Sequence, residues 1–222
     1  MLYLVPTPIG NLSDASPRSI EVLSSVSLIL AEDTRNTGKL LKLLNIDNKM
    51  KAFHAHNEHQ QVDYILGLLE SGQELALVSD AGTPGISDPG YLLVAACHQK
   101  NIAVTCLPGP TAFVPALAAS GIPSDKFFFE GFLPQKKGRQ TRWNFLLSLE
   151  YTFILYESPY RVLKCLKEIK EHCGADRMVC VSREISKLHE EIIQDTAENL
   201  LSNFENRPSI KGEFVIIVEG KK

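Results

Sequence analysis

Several stretches of this 222-residue chain carry residue types whose spacing could do chemistry. The first set is rich in Gly and Pro. It comprises Pro6-Thr7-Pro8-Ile9-Gly10-Asn11, the run Ser79-Asp80-Ala81-Gly82-Thr83-Pro84-Gly85-Ile86-Ser87-Asp88-Pro89-Gly90, and Leu107-Pro108-Gly109-Pro110-Thr111-Ala112. Gly lets backbone approach a ligand, and Pro fixes loop shape at small entropic cost. One such segment reads as a tight turn, whereas three favour a cofactor site. None is GxxxxGK[ST], so an NTPase phosphate cradle is absent, and no GxGxxG follows the first apolar run, which disfavours NAD. A ligand held by backbone, Thr hydroxyls and one carboxylate suits a nucleoside with a neutral or cationic tail. S-adenosylmethionine meets that description.

Three polar groups follow. Glu32-Asp33-Thr34-Arg35 offers two acids and an Arg, either as catalytic groups or as a solvated helix start with well-placed acids. In His54-Ala55-His56-Asn57-Glu58-His59, the i, i+2 spacing puts His54 and His56 on one face of an extended segment, as a metal pair would need. No Cys or further His cluster completes a shell, so no metal is expected and contact with RNA or substrate is favoured; Asn57 reads as a helix cap. Lys136, Lys137, Arg139 and Arg142 lie in an acid-free stretch between Glu130 and Glu150, flanked by Phe132 and Trp143. Positive charge with interleaved aromatics suits phosphate contact plus base stacking, the alternative being a solvated helix face.

These groups need a scaffold. The net charge of −3, 44% hydrophobic and 22% charged residues are globular values that exclude a disordered tail and non-specific coating of nucleic acid. No apolar run approaches the roughly 20 residues that span a bilayer. Met1-Leu2-Tyr3-Leu4-Val5-Pro6 lacks a basic n-region and is not read as a signal peptide. Five Cys without CxxC spacing suggest buried free thiols in a reducing cytoplasm rather than disulfides or zinc.

Apolar runs Leu2–Val5, Leu28–Ala31, Leu75–Val78 and Ile102–Cys106 alternate with amphipathic stretches Pro17–Ser25, Asn36–Leu44, Asn57–Glu70 and Gly90–Lys100. That order predicts an α/β domain with a largely parallel sheet, its ligand beyond the carboxyl ends of the strands. Ser16-Pro17 and Asp88-Pro89 read as helix starts. Strands are predicted at Phe127–Glu130, Thr152–Tyr156, Arg177–Ser182, His189–Gln194 and Glu213–Glu219, with helices at Tyr160–His172 and Ala197–Phe204 and a loop over Gly131–Gln140. The runs 177–182 and 189–194 suggest an antiparallel hairpin, hence a mixed second sheet. The expected domains are 1–121 and 122–222.

Taken together, the strings resemble one family. They include Val5-Pro6-Thr7-Pro8-Ile9-Gly10-Asn11-Leu12, Ala31-Glu32-Asp33-Thr34-Arg35, Ser79-Asp80-Ala81-Gly82-Thr83-Pro84, Glu130-Gly131-Phe132-Leu133-Pro134, Tyr156-Glu157-Ser158-Pro159, Arg183-Glu184 and Lys211-Gly212-Glu213. They are similar to the small-subunit ribosomal RNA methyltransferase branch of the tetrapyrrole methylase superfamily. The resemblance implies two α/β domains with S-adenosylmethionine in the cleft between them, and a homodimer. The implied reaction is methylation of the ribose 2′-hydroxyl of cytidine 1402 in the decoding region of 16S rRNA. Implied cofactor contacts fall on Pro8, Asp80, Ala81, Gly82, Thr83, Pro84, Thr111 and Ala112, and on Tyr156, Glu157, Ile185 and Gly212. Arg161 joins Lys136, Lys137, Arg139 and Arg142 as an expected RNA contact. Family members often read ESPHR where this chain has Glu157-Ser158-Pro159-Tyr160-Arg161. Many also continue past the Glu219-Gly220 strand end, so RNA affinity here is expected to come from elsewhere or to be weaker.

Transfer to a 2′-hydroxyl is an in-line displacement that needs the attacking oxygen within about 3–3.5 Å and a group to take its proton. Asp33, Glu184 and His54 are the candidate bases, with Arg35 and Lys187 as phosphate clamps. Two other functions compete: methylation of a tetrapyrrole precursor, and a non-enzymatic RNA- or subunit-binding module.

Overall fold

The computed structural model describes residues 1–221; Lys222, the expected end of the second domain, lies outside them. The chain divides into two compact units, Met1–Thr111 and Ala112–Lys222.

Unit 1 is a three-layer α/β unit. Its strands are β1 (Leu2–Leu4), β2 (Leu28–Ala31), β3 (Met50–Ala52), β4 (Leu75–Val78) and β5 (Val104–Cys106), in the order β3-β2-β4-β1-β5. Every pairing is parallel. The central strand β4 is buried at all four positions, as a strand covered on both faces must be. Helices α1 (Pro17–Ser25) and α2 (Thr34–Leu43) place Val22, Leu23 and Leu41 against Val5, Ile29, Ala76 and Val78 on one face. Helices α3 (Glu58–Glu70) and α4 (Tyr91–Gln99) place Ile65, Leu66, Leu93 and Cys97 against Leu4, Leu30, Leu75 and Leu77 on the other.

From β1 the chain crosses β4 to reach β2, and from β4 it crosses β1 to reach β5. The loops leaving these adjacent strands therefore depart in opposite directions. That is the topological switch point where parallel sheets open a ligand crevice.

Unit 2 carries a mixed sheet, β6-β7-β10-β8-β9. Its strands are β6 (Phe127–Phe132), β7 (Thr152–Glu157), β8 (Met178–Arg183), β9 (Glu191–Thr196) and β10 (Phe214–Val218). Among the described residues only β6 and β7 are parallel; β8 and β9 form the antiparallel hairpin the sequence predicts. Helices α6 (Arg139–Leu147), α7 (Val162–Cys173) and α8 (Ala197–Glu205) cover one face over Phe153, Leu155, Val181 and Ile216. Helix α5 (Phe113–Ala118) packs Ala116 and Leu117 on the other, against Ile154, Cys180 and Ile217. This packing joins α5 to unit 2, whereas the sequence puts those residues in the first domain.

Four local readings differ from expectation. Met50–Ala52, too short and polar to stand out, is edge strand β3. Gly131–Gln140 is not one loop: β6 runs through Gly131 to Phe132, and α6 begins at Arg139. Asp88-Pro89 does not cap α4; buried Glu58 does, its Oε1 accepting from the backbone N–H groups of Gly90, Leu92 and Leu93 at 3.1–3.4 Å. Asn57 stands at the N-cap position of α3, but its side chain folds back, accepting from the N–H of His54 and donating to the carbonyl of Ala52. Among the Cys, Cys97, Cys165 and Cys180 are buried, Cys173 is half-buried and Cys106 is exposed on edge strand β5.

Candidate functional site

In unit 1 the three Gly/Pro segments converge at the carboxyl end of the sheet. Thr7 and Gly82 exchange backbone hydrogen bonds at 2.9 and 3.0 Å, tying the loop after β1 to the loop after β4. The buried Thr7 hydroxyl donates to the carbonyl of Ser79. The Thr83 hydroxyl lies 3.0 Å from the Pro110 carbonyl and 2.5 Å from the Thr111 hydroxyl, which ties in the loop after β5. Gly109 sits so close to Pro6 that a Cβ there would fall 2.7 Å from the proline ring. Gly82 has φ +85°, a left-handed conformation that side chains rarely adopt. The surface so formed is backbone and hydroxyl, held by contacts between loops.

Carboxylates line the same edge. Asp80 is already engaged: Oδ1 accepts from the Asp33 N–H at 3.2 Å and Oδ2 from the Asn36 amide at 2.9 Å. Its own N–H donates to Glu32. Asp88 is the perturbed group. Burial pushes its carboxyl up to about 6, the charges of Glu32 and Asp80 adding to the effect and the Ser79 hydroxyl partly offsetting it. The sequence assigned Asp88 only to a helix start; its closeness to two other acids depends on the fold. Such a row of carboxylates fits a cofactor with a cationic tail.

Asp33 caps α2, accepting from the Arg35 N–H at 2.8 Å, and pairs with the Arg35 guanidinium at 2.6 Å. These bonds hold its carboxyl well below the usual carboxylate range, so Asp33 is a poor proton acceptor. His54 follows β3, beside the β2–α2 turn, since the N–H of Phe53 donates to the carbonyl of Ala31. Its Nδ1 is buried with no hydrogen-bond partner, and its ring meets His56 edge-on at 6.0 Å. Unit 1 thus gathers Asp33, Arg35, His54 and Asp80 along one edge.

Unit 2 builds its loops differently. Tyr156 and Glu157 are neighbours on β7 and point to opposite faces. Tyr156 joins the α5 face, with Phe129 at 5.1 Å and Ile185 in the same apolar cluster. Glu157 continues the Phe153 and Leu155 face. It is 2% exposed, and Oε1 takes the Ser158 N–H and the Arg161 guanidinium, each at 2.8 Å. Glu157 therefore anchors the turn after β7, and its side chain does not share a surface with Tyr156.

The loops around β8 and β10 lock together. Glu184 Oε1 accepts from Lys187 Nζ and from the Glu213 N–H, each at 2.9 Å, and Lys187 also reaches Glu213 at 2.8 Å. Burial pushes the Glu184 carboxyl up, but these donors outweigh it and leave it below the usual range. Glu184 and Ser186 hold φ +52° and +65°, strained values for residues other than glycine. A Cβ at Gly212 would fall 2.5 Å from Glu184 Cγ, so the glycine makes room for this side chain.

The expected basic patch is divided. Arg139 is 6% exposed and pairs with half-buried Glu168, so its guanidinium is turned away from solvent. Burial raises the Glu168 carboxyl, and the bonds from Arg139 bring it below the usual range. Arg142 pairs with Glu130, and Trp143 is in the core at 1% exposure. Lys136 and Lys137 stay exposed.

The tetrapyrrole (corrin/porphyrin) methylases match residues 1–201. The chain belongs to the tetrapyrrole methylase family. A relative named Ribosomal RNA small subunit methyltransferase I from Escherichia coli O157:H7 is 49% identical, covering 100% of this chain and 78% of its own length. One of the same name from Synechocystis sp. is 48% identical, covering 99% of this chain and 79% of its own. Within the family, the chain falls in the branch these relatives define. In fold it is similar to uroporphyrin-III C-methyltransferase from Thermus thermophilus, solved complexed with S-adenyl homocysteine. That match has TM-score 0.62 and 16% identity, over 98% of this chain and 96% of the other.

Proposed function

We propose that the chain is an S-adenosylmethionine-dependent methyltransferase of small-subunit rRNA, acting on the ribose 2′-hydroxyl of cytidine 1402 in 16S rRNA. The observation that carries the cofactor is the convergence of three backbone-and-hydroxyl loops at the β1/β4 switch point. They form a surface without basic residues, beside a row of carboxylates. The substrate rests on the named relatives.

When bound, the cofactor supplies an activated methyl on a sulfonium. In this reading Pro8, Asp80–Pro84 and Thr111 orient the nucleoside end through backbone and hydroxyl groups. In unit 2 the contacts fall on Ala112, Tyr156, Ile185 and the backbone at Glu157 and Gly212. Proton removal falls to His54 rather than to Asp33 or Glu184, whose carboxyls are held low by their donors. The openness of Arg35, 85% exposed at its side chain, supports a role for it as a phosphate clamp. Lys187 is spent on two carboxylates and positions the loop after β8. The resemblance also supports a cytoplasmic homodimer.

The test is transfer of labelled methyl from S-adenosylmethionine to small ribosomal subunits lacking the mark. Label on the 2′-oxygen of one cytidine is expected. No transfer to either subunits or naked rRNA would refute the proposal.

A further inference from the structure

The second unit presents two aromatic rings to solvent at the carboxyl ends of the parallel pair β6 and β7. Phe132 ends β6 at 54% exposure, and Tyr160 follows β7 at 95% exposure. Large apolar rings left this open invite an explanation.

Phe132 is placed there by a β-bulge. The register between β6 and β7 shifts between Phe129 and Gly131, so Phe132 pairs with Tyr156 instead of alternating to the far face. The displaced Glu130 turns inward to Arg142. The ring is then held from two sides. Tyr156 meets it edge-on at 5.6 Å, and the Arg161 guanidinium lies 5.9 Å from its centroid. Arg161 is itself fixed by buried Glu157. The exposed side of Phe132 is thus a preorganised platform that loses little freedom on binding.

Charge beside the rings identifies the occupant. Lys136 and Lys137, in the segment between β6 and α6, are exposed, and neither has an ion-pair partner among the described residues. A braced exposed ring, a second open ring and unpaired cations on the segments that follow β6 and β7 match an unstacked base with its flanking phosphates. A flat apolar protein partner would not call for the lysines.

We propose that Phe132 and Tyr160 stack unpaired bases of single-stranded RNA while Lys136 and Lys137 contact the adjoining phosphates. This rests on the rRNA methyltransferase reading and names a surface of unit 2 that would hold the strand.

The experiment measures anisotropy of a fluorescein-labelled single-stranded oligouridylate with the full chain across a salt series. Y160A and F132A are expected to weaken binding about 5- to 100-fold with an unchanged salt slope. Y160W should retain affinity, which separates stacking from folding defects. The K136A/K137A pair should flatten the slope by about 1.4. Y160A should bind S-adenosylmethionine in calorimetry as the parent does. Parent-like RNA affinity in both Y160A and F132A, or no RNA binding by the parent, would overturn the stacking proposal. Methyl transfer to subunits would then still stand. Loss of stacking-dependent binding in Y160A by a parent that neither binds cofactor nor transfers methyl would support the surface and refute the enzyme.

Discussion

The two units solve the same problem, shaping loops at one sheet edge, with different materials. Unit 1 uses backbone: Thr7 and Gly82 zip two loops, Thr83 pins a third, and Gly109 seats against Pro6. Unit 2 uses side chains: Glu157 with Arg161, Glu184 with Lys187 and Glu213, and Arg139 with Glu168. A backbone surface offers fixed shape to a ligand that never varies. A side-chain surface, cross-braced by ion pairs, leaves rings and lysines exposed for a larger partner. Under the proposed function, that difference is the reason to look for the invariant cofactor chiefly on the first unit and for the RNA chiefly on the second.

The comparison can be broken by substitution. The largest effect is expected from Arg139→Ala, which leaves half-buried Glu168 with only the more distant Lys164 and should cost about 3 kcal/mol of unfolding stability. Chemical denaturation reads it, and cofactor binding at folded conditions should be unchanged if Arg139 is purely structural. Since the Glu168 carboxyl is held low in the fold, the pair stabilises above the ordinary glutamate range. That contribution is lost as pH falls through the folded value.

Gly109→Ala should act next, and differently. Its Cβ would meet the Pro6 ring, forcing the loops after β1 and β5 apart. Displacement of a ligand-shaping loop by about 1 Å costs about 100-fold in kcat/KM. Calorimetry should show the loss as weaker cofactor binding with little change in affinity for RNA. An equal loss of both would erase the distinction between the units.

Asp88→Asn sharpens the electrostatic half. The folded carboxyl is raised to about 6, so the charged form is disfavoured in the fold. Wild-type stability therefore falls as pH rises from about 4 through about 6, and the variant lacks that penalty. At pH 7.5 it should be about 1–2 kcal/mol more stable, the full shift being discounted for partial solvent access, with the gap closing near pH 4. Thermal melts across pH read this directly. Lys187→Met should cost least, about 1 kcal/mol, because Glu184 keeps its backbone donor at Glu213. It should raise KM for the RNA substrate more than it lowers kcat.

The fold of unit 1 was largely legible because parallel strands buried on both faces read as apolar runs. Leu28–Ala31 and Leu75–Val78 match the expected bounds. The convergence of the three Gly/Pro loops was legible too, since it follows from strand order and parallel crossovers. Side-chain fate was not. Arg139, Arg142 and Trp143 read as a basic aromatic patch, yet a helix beginning at Arg139 turns two of them inward, and only the fold brings Glu168 and Glu130 to meet the arginines. The role of Glu58 as cap of a helix 32 residues away, and the pairing of Glu184 with Gly212, likewise depend on contacts distant in sequence. Tyr160 carried no signal beyond its departure from the family string; its exposure is a property of the turn that Glu157 anchors.

The central claim is tested most directly by mass spectrometry of small-subunit rRNA from cells lacking this chain, with and without its re-expression. One 2′-O-methyl should be missing at cytidine 1402 and should return with the intact chain. An undiminished methyl at that position in the lacking cells would contradict the account.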